Sequence, residues 1–372
     1  MPRQTTVRIL FCLGAAVAAL GGPYRELGIN GYIDPLTGRH ANPLSGNAVL
    51  NPMFRGWATT VVEYSPADGT LAAAWKDPTK ALGPATGQSF DVVSLGELSQ
   101  KEIEQGRSPG HITLAFGDPC DPNGRTALRN NKGYDLVVFE NGFTSQFTTG
   151  LGSFQGQMLA ELAYVEVSTN GRDFARFPCV SLTPGPVGAY GTIETTNVHN
   201  LAGKHLNANG VCTGTPFDLD ELAGHPLVAT GIVDLNDIGY VRIVDVPGNG
   251  SFFDDATACV APGTGPKWSP YPQNHPIYDM WPTWDSGGFD LEALGVLHEQ
   301  ELSADSNLDG IVDYRDLAAL AGAWQSRFGD EHWNGRCDLA RPKDLFIDGR
   351  DFAVFATQWG HVERWRVEFK NR

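Results

Sequence analysis

Residues 305–316 read Asp-Ser-Asn-Leu-Asp-Gly-Ile-Val-Asp-Tyr-Arg-Asp. Oxygen-bearing side chains fall at positions 1, 3, 5, 9 and 12 of this stretch, as Asp305, Asn307, Asp309, Asp313 and Asp316. Calcium takes roughly six to eight hard oxygen ligands, and this alternation turns successive carboxylates towards one centre. Gly310 permits the sharp turn, and Ile311 at position 7 offers its backbone carbonyl. Carboxylates crowded in this way repel one another, so the chemistry implied is binding of Ca2+. A solvated turn capping a helix accounts for the acids, but not for the fixed Gly and the oxygen spacing.

The pattern recurs 35 residues later: Asp309 aligns with Asp344, Asp313 with Asp348, Asp316 with Asp351, Leu320 with Phe355 and Trp324 with Trp359. In this second copy Asp344, the Phe346 carbonyl, Asp348 and Asp351 remain as candidate ligands. Counting back from Asp351 puts Ala340 at position 1, Pro342 at position 3 and Leu345 where Gly is expected. Asp338 supplies the missing first ligand only if this loop is two residues longer. Ala-rich runs at 317–324 and 352–359 predict a helix after each loop. Paired Asp-rich loops that close on Asp, each leading a helix, resemble the dockerin domain over residues 302–361. That resemblance implies a small α-helical domain with two calcium loops. It also implies a cohesin-like partner read by loop positions 10 and 11, which are Tyr314 and Arg315 here and Gly349 and Arg350 in the repeat. These are not the small Ser/Thr pair of the best-known dockerins, so another surface protein stands beside cohesin as the expected partner.

Elsewhere the chemistry-bearing residues are less pointed. Glu140, Glu161 and Glu166 lie near predicted strand ends, where two acids could act as a glycoside hydrolase pair. Scattered strand acids more commonly face solvent. His199 and His205 lack a third ligand at a metal-binding spacing. No Gly-x-Ser-x-Gly, P-loop or His-Glu-x-x-His motif occurs. Trp268, Tyr271, Tyr278, Trp281 and Trp284 gather among prolines in one segment, fit either for stacking on sugar rings or for burial beneath a loop.

The elements that must position these groups read as strands and turns from about 24 to 300. Candidate strands are 111–116, 134–139, 164–168, 174–177, 240–246 and 289–297, with Asn170-Gly171 as a hairpin signal of type I′. Gly (44) and Pro (24) are abundant without a collagen-like period, which favours a turn-rich body. The predicted fold class is all-β: an antiparallel β-sandwich of jelly-roll type, followed by the small helical domain. The phrases at 81–84, 134–142, 164–170, 240–245 and 288–293 resemble exported cell-surface proteins with a discoidin- or galactose-binding-like jelly roll. By analogy with such sandwiches, Asp245 and Asp290 become candidates for a structural calcium.

The N-terminus carries an export signal over 1–22: Arg3 and Arg8, an apolar stretch from 9 to 20, and Ala16-Val17-Ala18. The apolar run is too short to span a bilayer core of about 30 Å, and no membrane span is expected in the mature chain. A formal charge of −16 excludes the usual nucleic-acid partner, since little would neutralise phosphates. Beyond Cys12, the body cysteines Cys120, Cys179, Cys212 and Cys259 suggest disulfides without ranking the pairings, and Cys337 stands alone. The expected organisation is signal 1–22, β-sandwich 23–299, dockerin-like domain 302–361 and tail 362–372. The functional expectation is a secreted or cell-surface calcium-binding protein with a non-catalytic body that recognises a glycan or protein. The alternative is a polysaccharide-degrading glycoside hydrolase carrying a dockerin.

Overall fold

The computed structural model describes residues 22–67, 71–116, 127–149, 152–255, 274–300, 302–307, 309–340 and 343–361. The export signal up to residue 21, Cys120, Cys259, Trp268, Tyr271 and residues 362–372 lie outside the described residues.

Strand accounts for 27% of the structure and helix for 16%, so β-structure dominates as the turn-rich composition predicts. One antiparallel sheet runs in the order Ile29–Asn30, Thr213–Phe217, Leu136–Glu140, Asp290–Val296, Gly56–Trp57, with Val93–Ser94 also paired to Asp290–Val296. A second runs Ala175–Arg176, Leu162–Ser168, Tyr240–Val246, His111–Ala115, Thr60–Ser65. Leu136–Glu140, Leu162–Ser168 and Asp290–Val296 are buried along their whole length, although the 164–168 run reads as alternating. The two sheets share one core. Ile112, Leu114, Val165, Val241 and Ile243 of the second meet Leu136, Val138, Leu291 and Leu294 of the first.

The Asn170-Gly171 hairpin forms, pairing Glu166 with Arg176 and Val167 with Ala175, but not through a two-residue turn. Residues 169–174 make a longer loop in which only Gly171 has positive φ (+73°). Asn170 instead accepts backbone N–H bonds from Arg172 and Asp173 at its Oδ1 (2.8 and 2.9 Å). A side-chain turn replaces the backbone one.

Glu166 sits beneath this hairpin, bonded to Arg176 Nε and Arg242 Nε (2.8 and 2.6 Å). Those guanidinium groups stack on Tyr164 and Phe174 at 4.0 and 3.9 Å. Glu166 therefore holds the second sheet together. We expect Glu166→Ala to destabilise the body by about 2–3 kcal/mol in urea unfolding, below the roughly 3–5 kcal/mol of a fully buried pair because both arginines reach solvent. A loss under 0.5 kcal/mol would reject that role.

The two Ala-rich runs form helices at Tyr314–Gly322 and Gly349–Gln358, each starting earlier than the apolar pattern indicates. Asp313 and Asp348 cap them, and Asp316 and Asp351 return the capping-box bond to the cap backbone. The two units clasp each other reciprocally. Gln325 N and Ser326 O pair with Ile347, while Gly360 N and His361 O pair with Val312 at the equivalent place. A separate core of Leu302, Ala304, Val312, Leu320, Ala323, Cys337, Leu339, Ile347 and Phe355 lies between them, all contributed by this C-terminal segment. Lys343 joins it to the body through Asp237 and Asp234 (3.1 and 3.8 Å).

Cys179, Cys212 and Cys337 are buried free thiols, so the disulfide expectation fails for the described body cysteines. Cys179 packs with Met158 and Ile193, whereas Cys212 packs with Phe139 and Phe54 in a different cluster. Both serve as small apolar core residues. Among the described residues, no helix is long and apolar enough to cross a membrane.

Candidate functional site

The loop at 305–316 is wound around two buried acids. Asp305 is fully buried; its Oδ1 accepts from Asp309 N (3.1 Å) and its Oδ2 from Gly310 N (2.6 Å). Gly310 makes the turn at φ +80°. Asp316 closes the loop, accepting from Ser306 Oγ and Asn307 N at Oδ1 and from Asp313 N at Oδ2. Asn307 Oδ1 and Asp309 Oδ1 accept from Asp309 N and Ile311 N, so the intervening oxygens are ordered by the turn itself. Burial raises Asp305 above the ordinary carboxylate range, with the charges of Asp316 and Asp309 adding to it.

The second loop repeats this winding from a different first residue. Asp338 Oδ2 accepts from Leu345 N (3.1 Å), as Asp305 does from Gly310, and Leu345 holds the left-handed turn at φ +60°. Asp351 accepts from Leu339 N, Ala340 N and Asp348 N, as Asp316 does in the first copy. The loop thus spans 338–351, two residues longer than the first, and Ala340 is not its opening position. Asp338 is 2% exposed, its Oδ1 is buried without a partner, and burial lifts its pKa to about 6. An orphaned buried carboxylate oxygen inside an oxygen-lined turn fits a hard cation. Arg315 bonds Asp309 (3.0 Å), and Arg350 bonds Asp344 and Asp348 at the matching place.

A side chain at φ +60° costs about 1 kcal/mol relative to glycine. We therefore expect Leu345→Gly to raise the stability of residues 300–361 by up to about 1 kcal/mol in thermal unfolding. An unchanged or lower midpoint would contradict the strain.

The body contains a second acidic group that the sequence only partly signals. Glu97, Glu140, Glu161, Asp245, Asp279 and Asp290 influence one another electrostatically across both sheets. Residues 283–290 are their hub. Thr283 donates to Glu97 Oε2 (3.0 Å), Gly288 N to Glu161 Oε1 (3.2 Å) and Phe289 N to Asp245 Oδ1 (2.8 Å). Asp279 Oδ2 accepts from Leu162 N (2.8 Å). Burial pushes Asp245 up to about 7 and Asp290 to about 8, and drives Glu97, Glu140, Glu161 and Asp279 well above the usual range. Glu140, Glu161, Asp245 and Asp290 were candidates from sequence, and the fold brings them together. Glu97 and Asp279 join them unannounced. Glu166 does not, being held by its arginines. An acid ending an apolar run, as in Leu-Val-Val-Phe-Glu140, is the signal that finds such positions.

His199 and His205 are each held by side-chain and backbone partners. His199 lies between Glu26 (Nδ1, 2.7 Å) and Glu221 (Nε2, 3.1 Å), and His205 bonds Thr215 Oγ1 and the Glu26 carbonyl. Burial alone would lower His199, but the carboxylates of Glu221 and Glu26 outweigh it and raise it to about 9. Burial would raise Glu26, yet His199 and Lys204 hold it down at about 2. The His199 contribution is complete below pH 6.5 and disappears as pH climbs through about 9, while that of Glu26 is complete above pH 4.5 and disappears on descent through about 2. Relative to wild type, His199→Gln should cost on the order of 2 kcal/mol near pH 6 and progressively less towards pH 9. A pH-independent difference in chemical denaturation would exclude this coupling.

Of the described aromatics in the expected platform, Tyr278 lies over Gly250, Trp281 donates to Leu98 O (3.1 Å), and only Trp284 is exposed (53%). A cleft of about 580 Å³ lies elsewhere, lined by Met53, Arg55, Arg129, Lys132, Tyr134 and His298 among others. Its size suits a small ligand, and its basic rim contrasts with the acidic chain. Among the described residues, no three His, Cys, Asp or Glu side chains are grouped so that they could hold a metal ion as placed here. No protein-family model and no curated protein matches the chain.

Proposed function

We propose that the chain is an exported calcium-binding recognition protein: a non-catalytic β-sandwich body of jelly-roll type carrying a dockerin-like assembly tail. The observation that carries this reading is the repeated loop winding. Two buried first acids, Asp305 and Asp338, and two buried closing acids, Asp316 and Asp351, receive equivalent backbone bonds in the two copies. Asp305, Asn307, Asp309, Asp313, Asp316 and the Ile311 carbonyl would hold one ion. Asp338, Asp344, Asp348, Asp351 and the Phe346 carbonyl would hold the second. Bound calcium supplies the counter-charge that lets these carboxylates stay ionised at close quarters.

The exposed side chains at loop positions 10 and 11, with Tyr314 66% accessible, suit contact with a cohesin-like or other surface protein. The body cleft beside Arg55, Lys132 and Tyr134 suits a glycan bearing acidic or hydroxyl groups. The decisive experiment is calcium titration calorimetry on residues 300–361, followed by glycan-array binding of the full chain. Calcium uptake with binding and no turnover is expected. Absence of uptake at millimolar calcium would overturn the tail reading, and release of reducing sugar would replace recognition by hydrolysis.

A further inference from the structure

Along the chain, 43 Asp and Glu outnumber 27 Lys and Arg. The cleft of about 580 Å³ reverses that balance. Among the described residues that line it, Arg55, Arg129 and Lys132 stand against a single carboxylate, Glu299. Met53 and Tyr134, both exposed, give it an apolar side with Pro52 and Leu297. Its volume falls within the roughly 300–1,000 Å³ of ligand pockets, and walls of low dielectric strengthen the pull of its cations on an anion inside.

The polar groups of the cleft are braced from behind by one buried acid. Asp135 is fully buried; its Oδ1 accepts from Asn131 N (2.9 Å) and faces His298 Nδ1 (2.8 Å), and its Oδ2 accepts from Leu219 N (2.8 Å). A carboxylate on Nδ1 keeps the proton there and leaves Nε2 as the polar atom of the ring that can meet a ligand. Backbone bonds from Arg129 N to His298 O (3.1 Å) and from Leu297 N to Asp135 O (2.8 Å) join the two segments that carry these groups. Arg129 lines the cleft although it is only 7% exposed, whereas Lys132 is exposed at the mouth. A cation sheltered from bulk water attracts an anion more strongly than one on open surface, and the planar guanidinium matches the two oxygens of a carboxylate.

We infer that this cleft selects a saccharide by its negative charge, taking a uronic-acid unit whose carboxylate meets Arg129 and Arg55. Lys132 adds attraction at the mouth, Tyr134 lies against ring carbons, and Asn131 and His298 Nε2 meet hydroxyl groups. The inference rests on the reading of the body as a sugar-recognising module and adds to it a requirement for charge.

The test is titration calorimetry of the full chain with oligogalacturonate and with the same oligomer methyl-esterified, which keeps the sugar and removes the charge. No calcium is added, so that bridging by the ion cannot imitate binding. The acid form should bind at least about 10-fold more tightly than the ester, and less so as salt is raised. Arg129→Gln should weaken binding of the acid form by about 30-fold or more. Should that variant fail to fold, Lys132→Glu with Arg55→Gln at the mouth decides, with an expected loss of roughly 5- to 10-fold. Equal affinity for acid and ester overturns selection by charge while leaving sugar recognition in place. A preference for the acid form that survives these substitutions overturns the assignment to this cleft. Displacement of the oligomer by acetate or an acidic peptide at equal carboxylate concentration overturns the sugar as ligand. Binding of neither form overturns this inference, and silence of the full chain on a glycan array would remove the recognition reading with it.

Discussion

Residues 300–361 expressed alone should lose most of their helical circular dichroism signal when calcium is chelated, and recover it when calcium is returned. The two helices have 9 and 10 residues, below the length of about 12–15 at which isolated helices become even marginal in water. Their stability must come from the small core around Val312, Ile347 and Phe355 and from the loops that begin them. Those loops bury Asp305, Asp316, Asp338 and Asp351, none more than 2% exposed. With calcium at about 100 times its dissociation constant, binding adds roughly 2.7 kcal/mol per site. For a segment this small that is a large share of total stability. Asp305→Ala with Asp338→Ala should reproduce the chelated spectrum at saturating calcium. Spectra that coincide with and without chelator would remove calcium from the account of this segment.

Gly288→Ala should be strongly damaging to the body. Gly288 has φ +78°, and a Cβ there would stand 2.5 Å from Gly96 O and 3.0 Å from Asp245 Oδ1. Backbone oxygen cannot step aside as a side-chain end can. The substitution combines left-handed strain of about 1–2 kcal/mol with displacement of the segment that anchors Glu161, Glu97 and Asp245. We expect a total loss of about 4 kcal/mol, and a body melting temperature lower by roughly 10 °C. Gly106→Ala is the fitting control, since its φ is +69° but nothing lies within 4 Å of its Cβ position. It should cost only the strain. Equal effects at the two positions would mean that the contacts of Gly288 carry no weight.

What could be read from the sequence follows the range of the interactions involved. The winding of the first acidic loop was legible because its acids, its Gly and the cap of its helix lie within 12 successive positions. Its repeat was legible in its second half, and for its first half the sequence left two counts open, one opening at Ala340 and one two residues longer opening at Asp338; the winding follows the longer one. Leu345 conceals a left-handed turn that glycine would have announced. Strands at 240–246 and 290–296 were plain because β-branched and other apolar residues dominate both runs. The acidic group of the body was half visible. Glu97 and Asp279 enter it from segments far from Glu140 and Asp290 in the chain, and each acid alone resembles an ordinary strand-end residue. Only bonds between distant segments, such as Thr283 to Glu97 and Leu162 N to Asp279, place them in the same part of the fold. The thiols went the other way: Cys179 and Cys212 suggested a bridge by their number, whereas their separate clusters decide against one.

The ion pair from Lys343 has a mechanical side. Lys343 lies between Asp338 and Asp344 in the longer loop, and its ammonium group is gripped by Asp237 and Asp234 of the body. Traction applied to the C-terminal segment by whatever it grasps therefore passes into the 234–237 turn as well as along the peptide thread near residue 300. The two parts are thus moored at a second point besides the peptide link.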